Sequence, residues 1–224
     1  MSGQSFPEEV AALPTAAVSD ALDALGIPGQ LLGLAPLAPG QRLLGRAYTV
    51  RYVATGVPPG TVGDYIDDVP PGAVVVLDNG GRVDCTVWGD ILTAVASTRR
   101  VAGTVIDGVC RDTHRARTTG YPIYSRGYFM RTGKDRVAVS DIEKPVSIAG
   151  VQVRPGDLIL GDSDGVLTVP AAREAEVLEK ALEIERVEAA ILAEAIEGGS
   201  LRQARARLGY HTLQRRGGAP AATD

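Results

Sequence analysis

Asp90, Arg111 and Asp112 are the residues of this chain whose types and placing could do chemistry, and all three stand at junctions within WGDILTAVASTRRVAGTVIDGVCRD, Trp88 to Asp112. Gly89-Asp90 opens an apolar-periodic segment in which Ile91, Leu92, Val95 and Ala96 are expected on one helical face. At the start of such a helix the N–H groups from Gly89 to Leu92 lack intrahelical partners, and the dipole turns its positive end outward. Gly89 permits close approach, so the turn is suited to a small carboxylate. Arg111 offers a planar fork for a carboxylate or a developing oxyanion. Asp112 is a candidate ligand for a cation, since magnesium is often held by one carboxylate amid several waters. It is also a candidate N-cap for a helix opening at Thr113. For Asp90, an acid in a first turn, helix capping is the plainer role.

Other constellations fail. His114 and His211 are far apart and in no zinc-like spacing, and His114, although next to Arg111-Asp112, reads as a surface residue. Neither Cys85 nor Cys110 has a base within a recognisable motif. No Gly-x-Gly-x-x-Gly and no P-loop is present. Asp162-Ser163-Asp164-Gly165 lacks the glutamate and the spacing of a calcium loop and reads as a turn. Nucleotide binding and nucleophilic catalysis therefore have little support.

The junctions need elements to hold them. Val101 to Ile106 is a β-branched run expected to be a buried strand ending in an Asp107-Gly108 turn. Arg99 and Arg100 are expected to close the preceding helix against its dipole. Upstream, Leu13 to Gly26 reads as a helix, Gly45 to Val53 as a strand, and Val62 to Val69 as a short helix with a solvated acidic face. Ala73 to Leu77 reads as a strand ending in an Asp78-Asn79-Gly80-Gly81 turn, a second candidate edge of the pocket. Downstream come a helix over Thr113 to Thr119, a strand over Tyr121 to Ser125 and a polar loop to Arg136. Five short β runs follow between Val137 and Val169. Pro170 to Gly198 reads as the longest helix, with an apolar stripe of Val177, Ala181, Ile184, Val187, Ile191 and Ala195. The late β runs lie too close together for crossover helices, so the expectation is α/β with a mixed sheet.

Composition narrows the class. Hydrophobic content of 45% with 4% aromatic residues describes an ordinary globular core of 224 residues, and no linker divides it. A net charge of −4 argues against a general attraction to nucleic acid. The arginines after Leu201 (Arg202, Arg205, Arg207, Arg215, Arg216) lack the aromatic interleaving of a stacking arm. Two cysteines beside apolar runs read as buried free thiols in a reducing compartment. With no signal-peptide pattern and no apolar run near the ~20 residues that cross a bilayer, the expectation is a cytoplasmic protein without membrane contact.

Gly89-Asp90, then twenty residues, then Arg111-Asp112, set inside GDILTAVA and AGTVIDGVCRD, resembles the class II pyruvate aldolases of the 4-hydroxy-4-methyl-2-oxoglutarate aldolase type. The regulator of ribonuclease activity A, an inhibitor of ribonuclease E, belongs to the same family. VSDAL, GRAYTV, PPGAVVVLDNGG and GDSDGVLTVP are similar to the family's segments in the same order, from Leu13 to Gly199. The resemblance implies a swivelling-type β/β/α domain, a mixed central sheet flanked by helices, over residues 1–200. A basic C-terminal helix and frayed tail would follow over 201–224. It implies a homotrimer or hexamer with sites at subunit contacts and a small 2-oxo acid as substrate. By position, the amides of Gly89, Asp90, Ile91 and Leu92 would hold the pyruvyl carboxylate and Arg111 would contact the keto oxygen. Asp112 would ligate Mg2+ or Mn2+, and Asp90 would orient a metal-bound water. Glu185 and Glu188 are candidates for a glutamate contributed across a subunit contact. The implied activity is carbon–carbon lysis releasing pyruvate, with oxaloacetate decarboxylation at the same site. Binding to a ribonuclease E-type partner is the alternative.

Overall fold

The computed structural model describes residues 6–213. Two short helices open it, α1 (Glu8–Ala12) and α2 (Thr15–Ala24). Gly26, at φ 68°, ends the second in the left-handed conformation that glycine adopts without a Cβ clash. Strands β1 (Ala35–Pro36) and β2 (Leu43–Ala54), a 3-10 turn (Asp64–Asp68) and β3 (Ala73–Thr86) follow. Then come α3 (Asp90–Thr98), β4 (Gly103–Val109), α4 (Thr113–Thr119) and β5 (Ile123–Ser125). The β-rich stretch comprises β6 (Val137–Ile142), β7 (Val146–Ile148), β8 (Val151–Val153), β9 (Leu158–Asp162) and β10 (Gly165–Val169). Helices α5 (Glu174–Ile196), α6 (Leu201–Arg207) and α7 (Tyr210–Leu213) close the described chain. Arg215 and Arg216 of the expected basic tail lie outside the described residues.

The chain divides into two compact units. One, Gln30 to Ala171, carries every strand; the other combines Phe6 to Gly29 with the helices after Ala172. In the first unit eight strands form one mixed sheet, ordered β1-β5-β4-β3-β2-β9-β10 with β6 also paired to β2. β2, β3, β4 and β5 run parallel, whereas β6, β9 and β1 join antiparallel. β7 and β8 form a separate hairpin. The class is therefore mixed α/β, and the closely spaced late strands are antiparallel because short turns cannot carry crossovers. β3 and β4 are buried on both faces: Val75, Leu77 and Ile106 enter one core cluster, Val74, Val76 and Val105 the other. In the second unit, Val177, Ala181, Ile184 and Ile191 of the expected stripe are buried on α5, which packs on α2.

Two local expectations need correction. Asp78 to Gly81 is no strand-ending turn, because β3 runs on to Thr86. Gly80 and Gly81, at φ 61° and 70°, let it bulge where the register with β4 slips between Asp78 and Arg82 and again before Thr86. Asp107-Gly108 likewise lies inside β4. The Asp107 carboxylate is buried there, accepting from Arg126 Nε at 2.6 Å and from the Ala149 N–H at 2.8 Å. A paired carboxylate can stay in a buried strand. Arg99 does close α3, as expected: it is the C-cap residue, its N–H donating to the Val95 carbonyl at 2.9 Å. Its guanidinium donates to the Asp67 carboxylate and carbonyl, both at 2.7 Å, and Arg100, at φ 59°, turns the chain out of the helix.

Candidate active site

The parallel strands β3 and β4 end side by side, at Thr86 and Val109, where α/β sheets collect ligands. Each end hands the chain to one of the junctions. After β3, Trp88 is buried and Gly89 becomes the N-cap of α3, with no side-chain cap. After β4, the Arg111 N–H donates to the Trp88 carbonyl at 2.9 Å, which fastens the two junctions backbone to backbone.

The Arg111 Nε stands 3.3 Å from Oδ2 of Asp112, and that oxygen also accepts the Asp90 N–H at 3.4 Å. A Cβ on Gly89 would lie 2.8 Å from the same oxygen, so any larger residue here would push the Asp112 carboxylate aside. Asp112 occupies the left-handed region, φ 53° and ψ 39°, and makes no side-chain cap to α4. The capping alternative for Asp112 thus has no hydrogen bond behind it; the carboxylate faces Gly89 and Arg111 instead. A non-glycine residue in this conformation is a cost that surrounding structure must offset, and such residues gather at ligand sites. Asp90 sits in the first turn of α3, its carboxylate 3.9 Å from Arg115 Nε. All six sequence-selected residues, Gly89, Asp90, Ile91, Leu92, Arg111 and Asp112, line one cavity of about 710 Å³. A second cavity of about 510 Å³ touches Asp90 and Asp112 from the α4 side, beside His114 and Arg115.

Several features were not legible in the sequence. Ile91 is 75% exposed on α3, whose buried positions are Thr93 and Ala96. With Leu92 and Val95, Ile91 instead gives the cavity an apolar wall. The lining also includes the segment Gly60 to Asp64 together with Thr132 and Lys134, none of which carries a motif. Asp78 to Gly81, expected at the pocket edge, does not line the cavity. His114 is exposed, as a surface histidine should be. Both cysteines are free and fully buried, and burial pushes each thiol up from its ordinary value.

Among the described residues no group of three or more His, Cys, Asp or Glu gathers into a protein-only metal cage. The donors at hand suit a hard cation that keeps its waters. Asp112 is half exposed, its two polar contacts are long, and Asp90 presents a second carboxylate to the same space.

The chain is similar in sequence to bacterial proteins and in fold to solved structures. Protein DlpA of Legionella pneumophila is 43% identical over 85% of this chain, which spans only 32% of that longer protein. A protein of Halalkalibacterium halodurans, provisionally named 4-hydroxy-4-methyl-2-oxoglutarate aldolase, is 36% identical over 79% of this chain and 81% of its own length. The crystal structure of Streptomyces coelicolor RraAS2, described as an unusual member of the RNase ES inhibitor RraA protein family, superposes with a TM-score of 0.74. It is 27% identical, covering 83% of this chain and 96% of that one. The RraA-like family model, Aldolase/RraA, spans residues 15–168, and so takes in the strands, the Gly89 turn and the Arg111-Asp112 junction together. By that match, and by a fold shared with RraAS2, this chain belongs to the Aldolase/RraA family.

Proposed function

We propose that the protein is a divalent-metal-dependent lyase. It would cleave a 4-hydroxy-2-oxo acid to release pyruvate and decarboxylate oxaloacetate at the same site. The observation that carries this reading is the turn of Asp112: a strained left-handed residue whose carboxylate faces Arg111 and the first amide of α3. The provisional aldolase name of the Halalkalibacterium relative supports it.

Asp112 would hold Mg2+ or Mn2+ directly, with Asp90 orienting a bound water. When bound, the cation supplies Lewis-acid stabilisation of charge developing on the substrate. The protein's own groups do the rest. The amides from Gly89 to Leu92 bind the substrate carboxylate at the positive end of α3. Arg111 points its fork at the keto oxygen, where negative charge grows as the C3–C4 bond breaks. Aldol cleavage passes the C4-hydroxyl proton to water beside Asp90 and leaves the bonding pair on the pyruvyl half as an enolate. Protonation of that enolate at C3 gives pyruvate. Loss of CO2 from oxaloacetate leaves the same enolate, so one arrangement of charge serves both reactions. The working unit in this reading is a homotrimer or a pair of trimers in the cytoplasm, with Glu185 or Glu188 reaching a neighbouring site.

The test is pyruvate release from oxaloacetate, with magnesium and then with excess chelator. Turnover that appears with the metal and vanishes with the chelator is expected. Protein inert towards oxaloacetate and related 4-hydroxy-2-oxo acids would instead favour a second reading, a regulator that binds a ribonuclease E-type partner. That reading rests on the likeness to RraAS2 and needs neither metal nor Arg111.

A further inference from the structure

Beneath the Gly89 turn lies a buried polar chain that no motif announces. The Thr86 hydroxyl accepts the Trp88 N–H at 3.2 Å and lies 2.9 Å from the Trp88 carbonyl and 3.0 Å from that of Val109. The Trp88 indole Nε1–H donates to Thr93 Oγ1 at 2.9 Å, and that hydroxyl donates its own proton to the Gly89 carbonyl at 3.0 Å. Thr86, Trp88 and Thr93 are each at most 3% exposed. The indole also stacks on Tyr121 at 6.1 Å between ring centres, and the Tyr121 hydroxyl meets Thr104 on β4 at 2.9 Å.

A hydroxyl has one proton to give. The Thr93 proton is committed to Gly89 and its lone pair to the indole, so the side chain is held from both sides. The Trp88 carbonyl meanwhile receives the Arg111 N–H. One tryptophan therefore ties the first turn of α3 to the backbone of Arg111, through its indole on one side and its carbonyl on the other.

We propose that Thr93, through Trp88, is the positioning residue that sets the Gly89–Leu92 amides in register with Arg111. This rests on the reading of that turn as the carboxylate site. Thr93 touches no reacting atom. It fixes where the turn's amides point relative to the guanidinium, and a valine of the same shape cannot do so. Thr93→Val leaves a buried indole N–H without an acceptor and frees the Gly89 carbonyl from its side-chain bond.

The experiment compares wild type, Thr93→Val and Thr93→Ser as full chains, first without ligand. Amide and indole N–H signals are followed by nuclear magnetic resonance, with Trp88 giving the single indole signal of the sequence. Thr93→Val is expected to move the indole signal together with the amides of Asp90 to Leu92 and of Arg111, and Thr93→Ser to restore them. A change confined to the indole, with the turn and Arg111 amides unmoved, overturns the proposal. In turnover, Thr93→Val should raise KM for oxaloacetate about tenfold, the scale of one unmade buried bond. A substrate anchored on shifted amides also meets Arg111 out of line, so kcat should fall as well. An unchanged kcat/KM counts against the proposal. If wild type is inert towards oxaloacetate, the lyase reading fails alone, and the ligand-free spectra still decide the role of Thr93. Should Thr93→Val not fold, Trp88→Phe keeps a ring on Tyr121 while deleting the indole N–H, and is expected to move the same turn and Arg111 amides.

Discussion

At the scale of single residues, the geometry separates charge from fork and cap from ligand. Arg111→Lys keeps the positive charge but loses the planar pair of donors. Turnover is expected to fall about a hundredfold, the scale of one lost oxyanion donor, in a protein that melts like wild type. Arg99→Ala removes an exposed pair with Asp67, so it should cost about 0–1 kcal/mol in stability and leave turnover in place. Equal behaviour of the two variants in matched kinetic and melting measurements would contradict the role of Arg111. Asp112→Asn deletes the charge while tolerating the same left-handed backbone. It should stay folded and lose its response to magnesium; an Asn variant that still gains activity with added metal would remove Asp112 as the ligand. Gly89→Ala tests the same oxygen from the other side. Its Cβ would press on the Asp112 carboxylate rather than on backbone, so folding should survive while magnesium activation weakens.

At the scale of elements, β4 is the strand on which the junction depends, and Asp107 is its unusual member. Its carboxylate is buried in a strand that is otherwise apolar apart from Thr104, holding Arg126 and the Ala149 N–H. Asp107→Ala would leave the partly buried Arg126 guanidinium without its carboxylate, a change expected to cost about 3–5 kcal/mol. Urea unfolding measures this, and a loss below about 1 kcal/mol would mean the pair is a surface-type contact. The cysteines belong to the same layer. Cys85 closes β3 and Cys110 follows β4, both fully buried with thiols raised by burial. A raised thiol carries less thiolate at neutral pH, so thiol reagents should label neither until the protein unfolds.

At the scale of the whole molecule, apolar residues remain uncovered on the described chain. Leu192 and Ile196 on α5 are 60% and 75% exposed, and Met130 is 76% exposed. Among the described residues no helix is long and apolar enough to cross a membrane. In the proposed assembly a second and third copy cover part of this surface. Light scattering should then return about three or six times the chain mass of 23.4 kDa. A stable monomer at micromolar concentration would remove the shared-site arrangement, and with it the roles offered to Glu185 and Glu188.

Helix and strand periods are local, and they determined much of this protein from the sequence alone. α4 over Thr113 to Thr119 matches the reading of the sequence residue for residue, and α2 and α5 match it in their cores. Gly89, Asp90, Arg111 and Asp112 were legible because they sit where those periods break. What the tertiary structure decided depends on partners distant in the chain. Asp78 to Gly81 and Asp107-Gly108 carry turn chemistry, yet both remain in strands, the first by a glycine bulge, the second by Arg126 and Ala149. The cavity lining from Gly60 to Asp64, Thr132 and Lys134 is gathered from segments that are distant in the chain and without motifs. The choice at Asp112 between capping a helix and facing Arg111 was open in the sequence, since one carboxylate suits both. A left-handed backbone aimed it at Gly89, and backbone direction at a strand end is set by the packing of the strands, not by the residue itself.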